Sequence, residues 1–310
     1  MNEKTYDVVI VGGGVAGLTA GLFAARYGLK TALLERLMAG GLICNAELIE
    51  NFPGFPNGVP GAELGPLIQE QAMKFGMAME MAEVSAIKPR EHHWEVETFE
   101  GSFLAKAVII AGGSRLKRLG VPGEAEFDGR GVSYCATCDG AFFADQVVAV
   151  VGGGDSALDE ALTLTHFASK VLLLHKGDAM KGQQVLQDSV LSNPKVEVIS
   201  NVVVEKILGK EQVNAVAVKN SKAGKASQLS VSGVFIFVGL EPNTEYLKGL
   251  LPLDNGGHIP TNIWMETPVK GIFAAGDIRQ NSASQLATSA GDGATAAIAA
   301  YRYIRSKRWD

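Results

Sequence analysis

Cysteine is scarce in this 310-residue chain: there are three, and two of them share one C-x-x-C, Cys135 and Cys138. That scarcity excludes a disulfide-stapled secreted scaffold, in which bridges stand in for an undersized core. It also excludes a structural zinc ribbon, because such a site takes four ligands and no second C-x-x-C is present. No metal site is expected. Runs of lysine and arginine are missing too, and the net charge is -5. Nucleic acid is therefore not an expected partner, since phosphates are held by clustered basic side chains. The nearest approach to a basic patch is Arg302, Arg305, Lys307 and Arg308, which reads as a solvated last helical turn complementing the helix dipole. One uncharged stretch, Val8 to Ala25, is long enough to suggest a membrane span or signal, but Gly12, Gly13, Gly14, Gly17 and Gly21 interrupt it. Glycine inside a helix costs about 1 kcal/mol each, so a strand, a turn and a helix fit better. With no basic n-region or small-residue cleavage site there, the expectation is a soluble, cytoplasmic protein with no membrane partner.

What the chain has in plenty is glycine, 37 residues in short runs, and two of those runs share one grammar. Tyr6–Val11 reads as a strand, Gly12-Gly13-Gly14-Val15-Ala16-Gly17 as a turn, the following apolar run to about Tyr27 as a helix, and Thr31–Glu35 as the next strand. Further on, Gln146–Val151 is a strand, Gly152-Gly153-Gly154-Asp155-Ser156-Ala157 opens a helix to about Phe167, and Lys170–His175 is the next strand. Both are βαβ units with a G-x-G-x-x-G/A turn. Gly12 and Gly152 make the turn, Gly14 and Gly154 let backbone approach a pyrophosphate, and Gly17 (Ala157 in the second unit) allows close helix–strand packing. The phosphates would sit on the helix N-terminus, where free N–H groups favour anions.

The flanks resolve into a discontinuous domain and an insertion. Ala105–Ala111 is a buried-looking strand running into Gly112-Gly113, and Arg115–Gly120 resembles a crossing linker. Val234–Val238 closes the second unit before Gly239-Leu240-Glu241-Pro242-Asn243; Gly271–Gly276 resumes strand character, and Ala283–Arg305 reads as one long helix. The fold class is α/β with two Rossmann-like dinucleotide-binding domains, the second inserted into the first. The boundaries are 1–114 with 245–310 for the first, and 115–244 for the second.

The residue ending the second strand of such a unit meets the adenosine ribose. Glu35 stands there in the first unit, and its carboxylate accepts from a free 2′-OH, so FAD or NAD fits and NADP is repelled. The second unit ends His175-Lys176-Gly177-Asp178 with Lys181 nearby, and a basic side chain there can pair a 2′-phosphate. Two thiols at the Cys135/Cys138 spacing can close a reducible disulfide, and a helix opening at the pair would favour the thiolate. Asp139, next in the chain, can supply and take the proton that thiolate chemistry requires.

In these motifs the chain resembles the low-molecular-weight thioredoxin reductases over nearly its whole length. The residues that carry the likeness are Val11–Gly17, Glu50-Asn51-Phe52-Pro53-Gly54, Cys135–Gly140, Gly152–Ala157, Gly239–Asn243, Gly271–Asp277, Gln285 and Ala290–Ala294. The resemblance implies a homodimer with FAD in the discontinuous domain and NADPH on the inserted one, reducing thioredoxin or a similar disulfide. It implies that Asp277 holds the ribityl and pyrophosphate region and that Asn51 and Gln285 contact the flavin side. It adds Gly41, Gly112, Gly276 and Leu286 to the FAD set, and Ser156 to the second nucleotide site. By the same likeness Cys138 faces the flavin, Cys135 attacks the substrate disulfide, and Asp139 is the acid. The inserted domain would rotate about linkers near Leu116 and Glu241, carrying the pair from flavin to substrate.

Three departures stand out. Where the family carries three arginines after the second strand, this chain has Lys176, Gly177 and Lys181, and a lysine is a point charge rather than a bidentate fork. A family glutamine after Gly40-Gly41 is Leu42, and a family threonine near the flavin is Cys44, read as a small apolar filler. The first departure leaves the choice between NADPH and NADH open. It also admits another donor such as ferredoxin, a dithiol oxidase running the pair backwards, or a non-catalytic FAD-binding redox sensor.

Overall fold

The computed structural model describes residues 4–307. The chain divides into two compact units, Met1–Arg115 with Glu241–Asp310, and Leu116–Leu240. Arg115 and Glu241–Thr244 thus stay with the first unit, where the sequence had assigned them to the second. Local bonds explain this: Asn243 donates its backbone N–H to Gly113 O at 3.0 Å and its Nδ2 to Gly112 O at 2.9 Å. Arg115 pairs with Glu241 and Glu245.

The first unit begins β1 (Lys4–Val11), α1 (Val15–Arg26), β2 (Thr31–Glu35), α2 (Gly61–Met73) and β3 (Ala78–Met81). An antiparallel meander follows, β4 (Val84–Arg90), β5 (His93–Thr98) and β6 (Ser102–Ile110), before the crossing strand β7 (Ser114–Leu116). The sheet order is β3-β2-β1-β6-β5-β4. β1 is parallel to both β2 and β6. From β1 the chain moves outward to β2 and β3, then returns to β6 on the other side, so a topological switch point lies at the carboxyl ends of β1 and β6. That crevice is where open α/β sheets take their ligands.

The second unit runs β8 (Val132–Ser133), α3 (Ala136–Asp139), β9 (Val147–Val151), α4 (Asp155–Leu164), β10 (Lys170–His175), α5 (Gln184–Ser192) and β11 (Val196–Ser200). It continues with β12 (Val202–Gly209), β13 (Val213–Asn220), β14 (Ala226–Ser230) and β15 (Gly233–Ile236). The parallel sheet is ordered β11-β10-β9-β15-β8, with β12-β13-β14 forming a separate antiparallel sheet. The switch point recurs between β9 and β15. After the crossing strand β16 (Leu240–Pro242), the first unit is completed by β17 (Ile272–Ala274), which adds parallel to β6, and α6 (Leu286–Arg305).

Strand patterning builds the layers. Side chains alternate across a strand: Val8 and Ile10 of β1 enter a core with Leu18, Ala296 and Ala300, while Val9 and Val11 enter another with Leu247 and Ile259. In the second unit Val148 and Val150 face Leu158 and Leu164 of α4, and Ala149 and Val151 face Val204 and Val216 of the antiparallel sheet. With both faces covered, β1 and β9 read as continuous apolar runs. The last helix starts at Leu286, not Ala283, because Asn281 and Ser284 take left-handed φ values of 60° and 51° and Gln285 becomes the N-cap. Of the C-terminal basic residues, Arg302 stacks on Trp264 at 4.4 Å, and Arg308 lies outside the described residues. Among the described residues no helix is long and apolar enough to cross a membrane, and no group of three or more His, Cys, Asp or Glu could hold a metal ion.

Candidate functional site

The first glycine turn is shaped by crowding at two positions and by space at a third. Gly12 has φ +105°, and a Cβ there would stand 2.4 Å from Ala111 O; at Gly17 it would stand 1.9 Å from Gly12 O. These glycines serve the chain itself. Gly14 differs: its φ of -71° suits any residue, and a Cβ would meet nothing within 4 Å. Neither backbone nor neighbour requires glycine there, so the open space beside it fits an approaching pyrophosphate. Glu35 closes the turn's flank, accepting the Gly13 N–H at 2.6 Å and the Leu37 N–H at 2.9 Å. Gly41, at φ +63°, lies in the loop over Gly14.

The structure gathers the remaining first-unit positions around the same end of the sheet. Asn51 Nδ2 donates to Gln285 Oε1 at 3.3 Å, joining residues 234 apart in sequence. Asp277 accepts from Ser282 Oγ at 3.1 Å and Ser289 Oγ at 3.4 Å, and burial pushes its carboxyl up. Gly276, at φ +77°, donates its N–H to Asp292 Oδ2 at 3.1 Å, and Arg279 forks onto the same carboxylate. Leu286 opens α6 beside Gln285. Gly112 lies just past the end of β6, and a Cβ on it would lie 3.6 Å from Tyr246 Oη. That hydroxyl is buried without a hydrogen-bond partner among the described residues. The open cradle at Gly14 fits a large polar cofactor such as FAD. Cys44 fills the turn at Gly40, its Sγ 3.4 Å from Ala39 O, and burial pushes the thiol up.

The second glycine turn repeats the arrangement. Gly152 has φ +150°, and its Cβ would clash with Phe237 O at 2.2 Å, whereas a Cβ at Gly154 would meet nothing within 4 Å. Ser156 is exposed on the first turn of α4, and Lys176 and Lys181 are exposed at the rim. The Lys181 N–H is held by Gly153 O at 2.7 Å. His175 turns inward instead: it lies 2.9 Å from Ser200 Oγ, and burial lowers its pKa. Beside Gly177, Asp178 pairs with Lys222.

The cysteines are joined as a disulfide, with Cα atoms 5.3 Å apart. Cys135 is the N-cap of α3, and its Sγ accepts the Cys138 N–H at 3.1 Å. Cys135 is buried and Cys138 exposed. Several partners here escaped the sequence reading, because they come from elements whose meeting no spacing announces. Ser133 accepts the Cys135 N–H at 3.1 Å and donates to Asp139 Oδ2 at 2.6 Å. Glu160, on α4, accepts the Ala136 N–H at 2.6 Å. Tyr134 donates to Glu124 at 2.7 Å and accepts from Arg118 at 2.7 Å. The buried Glu124 also takes the N–H groups of Leu119 and Gly120 at 2.8 and 2.6 Å. Only Ser133 and Tyr134, neighbours of the cysteine pair, carried a positional hint.

Comparison with known proteins agrees with this chemistry. The family described as pyridine nucleotide-disulphide oxidoreductase matches residues 6–294. A thioredoxin reductase of Bacillus subtilis is 42% identical over 303 residues, covering 97% of this chain and 96% of that protein. One from Treponema pallidum is 41% identical over 305 residues, covering 97% and 98%. The crystal structure of Lactococcus lactis thioredoxin reductase superposes with a TM-score of 0.95 at 40% identity, covering 97% and 99%. With two glycine cradles, a disulfide and likeness along nearly its full length, the chain belongs to the pyridine nucleotide-disulphide oxidoreductases, as an enzyme of their thioredoxin reductase branch.

Proposed function

We propose that the protein takes two electrons from a reduced pyridine nucleotide, passes them through FAD held at the first glycine turn, and delivers them through Cys135 and Cys138 to thioredoxin. The observation that carries this reading is the Cys135–Cys138 disulfide at the start of α3, with Asp139 held at the same helix by Ser133. Gly12, Gly14, Gly17, Glu35, Gly41, Asn51, Gly112, Gly276, Asp277, Gln285 and Leu286 are the proposed FAD contacts. Glu35 is already turned to the Gly13 amide, where its free lone pairs can take a ribose hydroxyl. FAD, when bound, supplies the acceptance of a hydride and its release as an electron pair.

Cys138 is the proposed sulfur on the flavin side and Cys135 the attacking one. Cys135 is buried in the disulfide form, so its attack requires the pair's surroundings to open. Asp139 then protonates the leaving thiolate, oriented by the Ser133 hydroxyl. The working form is a cytoplasmic homodimer.

The nucleotide sits at Gly152, Gly154 and Ser156, with Lys176 and Lys181 at its adenosine end and the inward-turned His175 ending the strand behind them. Lys176 and Lys181 are solvated point charges, and Gly177 has no side chain to add to them. The second site therefore binds NADPH weakly and with little preference over NADH. Stopped-flow flavin reduction by each nucleotide, followed by thioredoxin reduction, tests the scheme. A flavin that neither nucleotide reduces would refute the donor class, and reduced flavin without thioredoxin turnover would refute the exit route.

A further inference from the structure

Glu160 is a carboxyl in an unusual place. It sits on α4, faces the redox helix and is only partly exposed, and its Oε2 accepts the N–H of Ala136, the peptide that follows Cys135 directly. A neutral oxygen would satisfy that amide as well, so the hydrogen bond alone does not call for a charged group. Burial raises its pKa to about 7, against the Ala136 hydrogen bond, which favours the carboxylate, and with a smaller push from Asp159. The other ionisable groups on elements packed against α4 have partners of their own. Ser133 holds Asp139 of α3, and Lys170 of β10 pairs with Glu197. His175 of β10 meets Ser200, and Gln184 donates to Asp188 of α5. Glu160 is thus a second carboxyl, besides Asp139, that touches the redox helix and can answer a charge that appears on the sulfurs.

We propose that Glu160 is the proton partner of the Cys135/Cys138 pair, taking up a proton when the disulfide is reduced and releasing it when the disulfide re-forms. The inference rests on the pair being the exit relay. Reduction of the S–S bond takes two electrons from the reduced flavin and two protons. One proton ends on a sulfur, the other sulfur stays a thiolate, and the second proton goes to Glu160, because a new negative charge nearby raises a carboxylate's proton affinity. When the thiolate attacks a substrate disulfide, its S–S bond breaks. The second sulfur then displaces the mixed disulfide; the Glu160 proton and the thiol proton, the latter handed on through Asp139, together complete the substrate dithiol. Glu160 acts through the cysteines and is a positioning residue.

Redox-induced infrared difference spectroscopy on the holoenzyme, buffered about one pH unit above neutrality so that Glu160 starts ionised, tests this. Reduction is expected to raise a protonated-carboxyl C=O band that shifts on 13C-glutamate labelling and is missing in Glu160→Gln. The amide oxygen of that variant still accepts the Ala136 N–H, so the fold is retained while the proton site is lost. The pH profile of thiol alkylation in reduced enzyme should also lose its near-neutral inflection in Glu160→Gln and keep the thiol's own. Two new thiols per chain without the band in wild type, or an unchanged alkylation profile in the variant, would overturn the proposal. Flavin reduction with no new thiols would overturn the relay itself, and this inference with it.

Discussion

Two glycines in one turn should fail in different ways when a side chain is added. Gly17→Ala puts a Cβ 1.9 Å from Gly12 O and 3.3 Å from the Ala111 side chain. Helix α1 cannot simply retreat, since on its other side the Gly293 Cα–Cβ direction already points 2.1 Å from Ala16 O. Overpacking of this kind costs about 1–3 kcal/mol, which lowers Tm by about 2–4 °C per kcal/mol in a unit of this size. That loss should appear in protein stripped of flavin. Gly14→Val instead meets open space and an ordinary φ, so the flavin-free fold should lose under about 1 kcal/mol, the cost of a poorer cap. Its effect should fall on FAD. A charge-assisted hydrogen bond contributes roughly 1.5–3 kcal/mol, so blocking one pyrophosphate contact weakens binding about 10- to 100-fold. Thermal unfolding of the stripped proteins and flavin titration measure the two effects separately. A Gly14→Val protein that retains full flavin, or a stripped Gly17→Ala protein as stable as wild type, would refute the division of roles.

Cys138→Ser should leave a flavin that its donor still reduces, while thioredoxin reduction disappears; wild-type turnover in a coupled thioredoxin assay would exclude the relay. Lys176→Arg with Gly177→Arg should raise the NADPH-over-NADH ratio of flavin-reduction efficiency by roughly one to two powers of ten, since each 1.4 kcal/mol is about tenfold. A wild type that already rejects NADH would show that two lysines suffice. The raised pKa of Glu160, about 7, makes folding retain a proton that the unfolded chain loses near its ordinary carboxylate pKa. Stability should therefore fall as pH rises from about 4.5 toward 7, by at most roughly 3 kcal/mol from this group. Glu160→Gln should flatten that slope in denaturant titrations across the window, and an equal slope in the variant would place the carboxyl elsewhere in the titration.

The sequence by itself determined the parts whose physics is local. Gly12, Gly17 and Gly152 announce their turns because crowding or φ excludes side chains there, and the apolar runs beside them announce strands covered on both faces. The C-x-x-C announces a disulfide because its spacing alone brings the thiols within reach. Motif likeness also named Asn51 and Gln285 together, though nothing local joins residues so far apart. Less was legible where contacts come from distant segments. The hairpin β4–β5 and the sheet β12–β14 carry half-exposed, weakly patterned strands whose pairing depends on partners rather than periodicity. The start of α6 was misplaced because the left-handed turns at Asn281 and Ser284 override a helix-friendly composition. Ser133 beneath Asp139, Glu160 against Ala136 and the unpartnered Tyr246 hydroxyl beside Gly112 were decided by tertiary structure alone. A hydrogen bond between side chains is fixed by where their elements pack, and burial, which moves a carboxyl's pKa, exists only once those elements have closed over it.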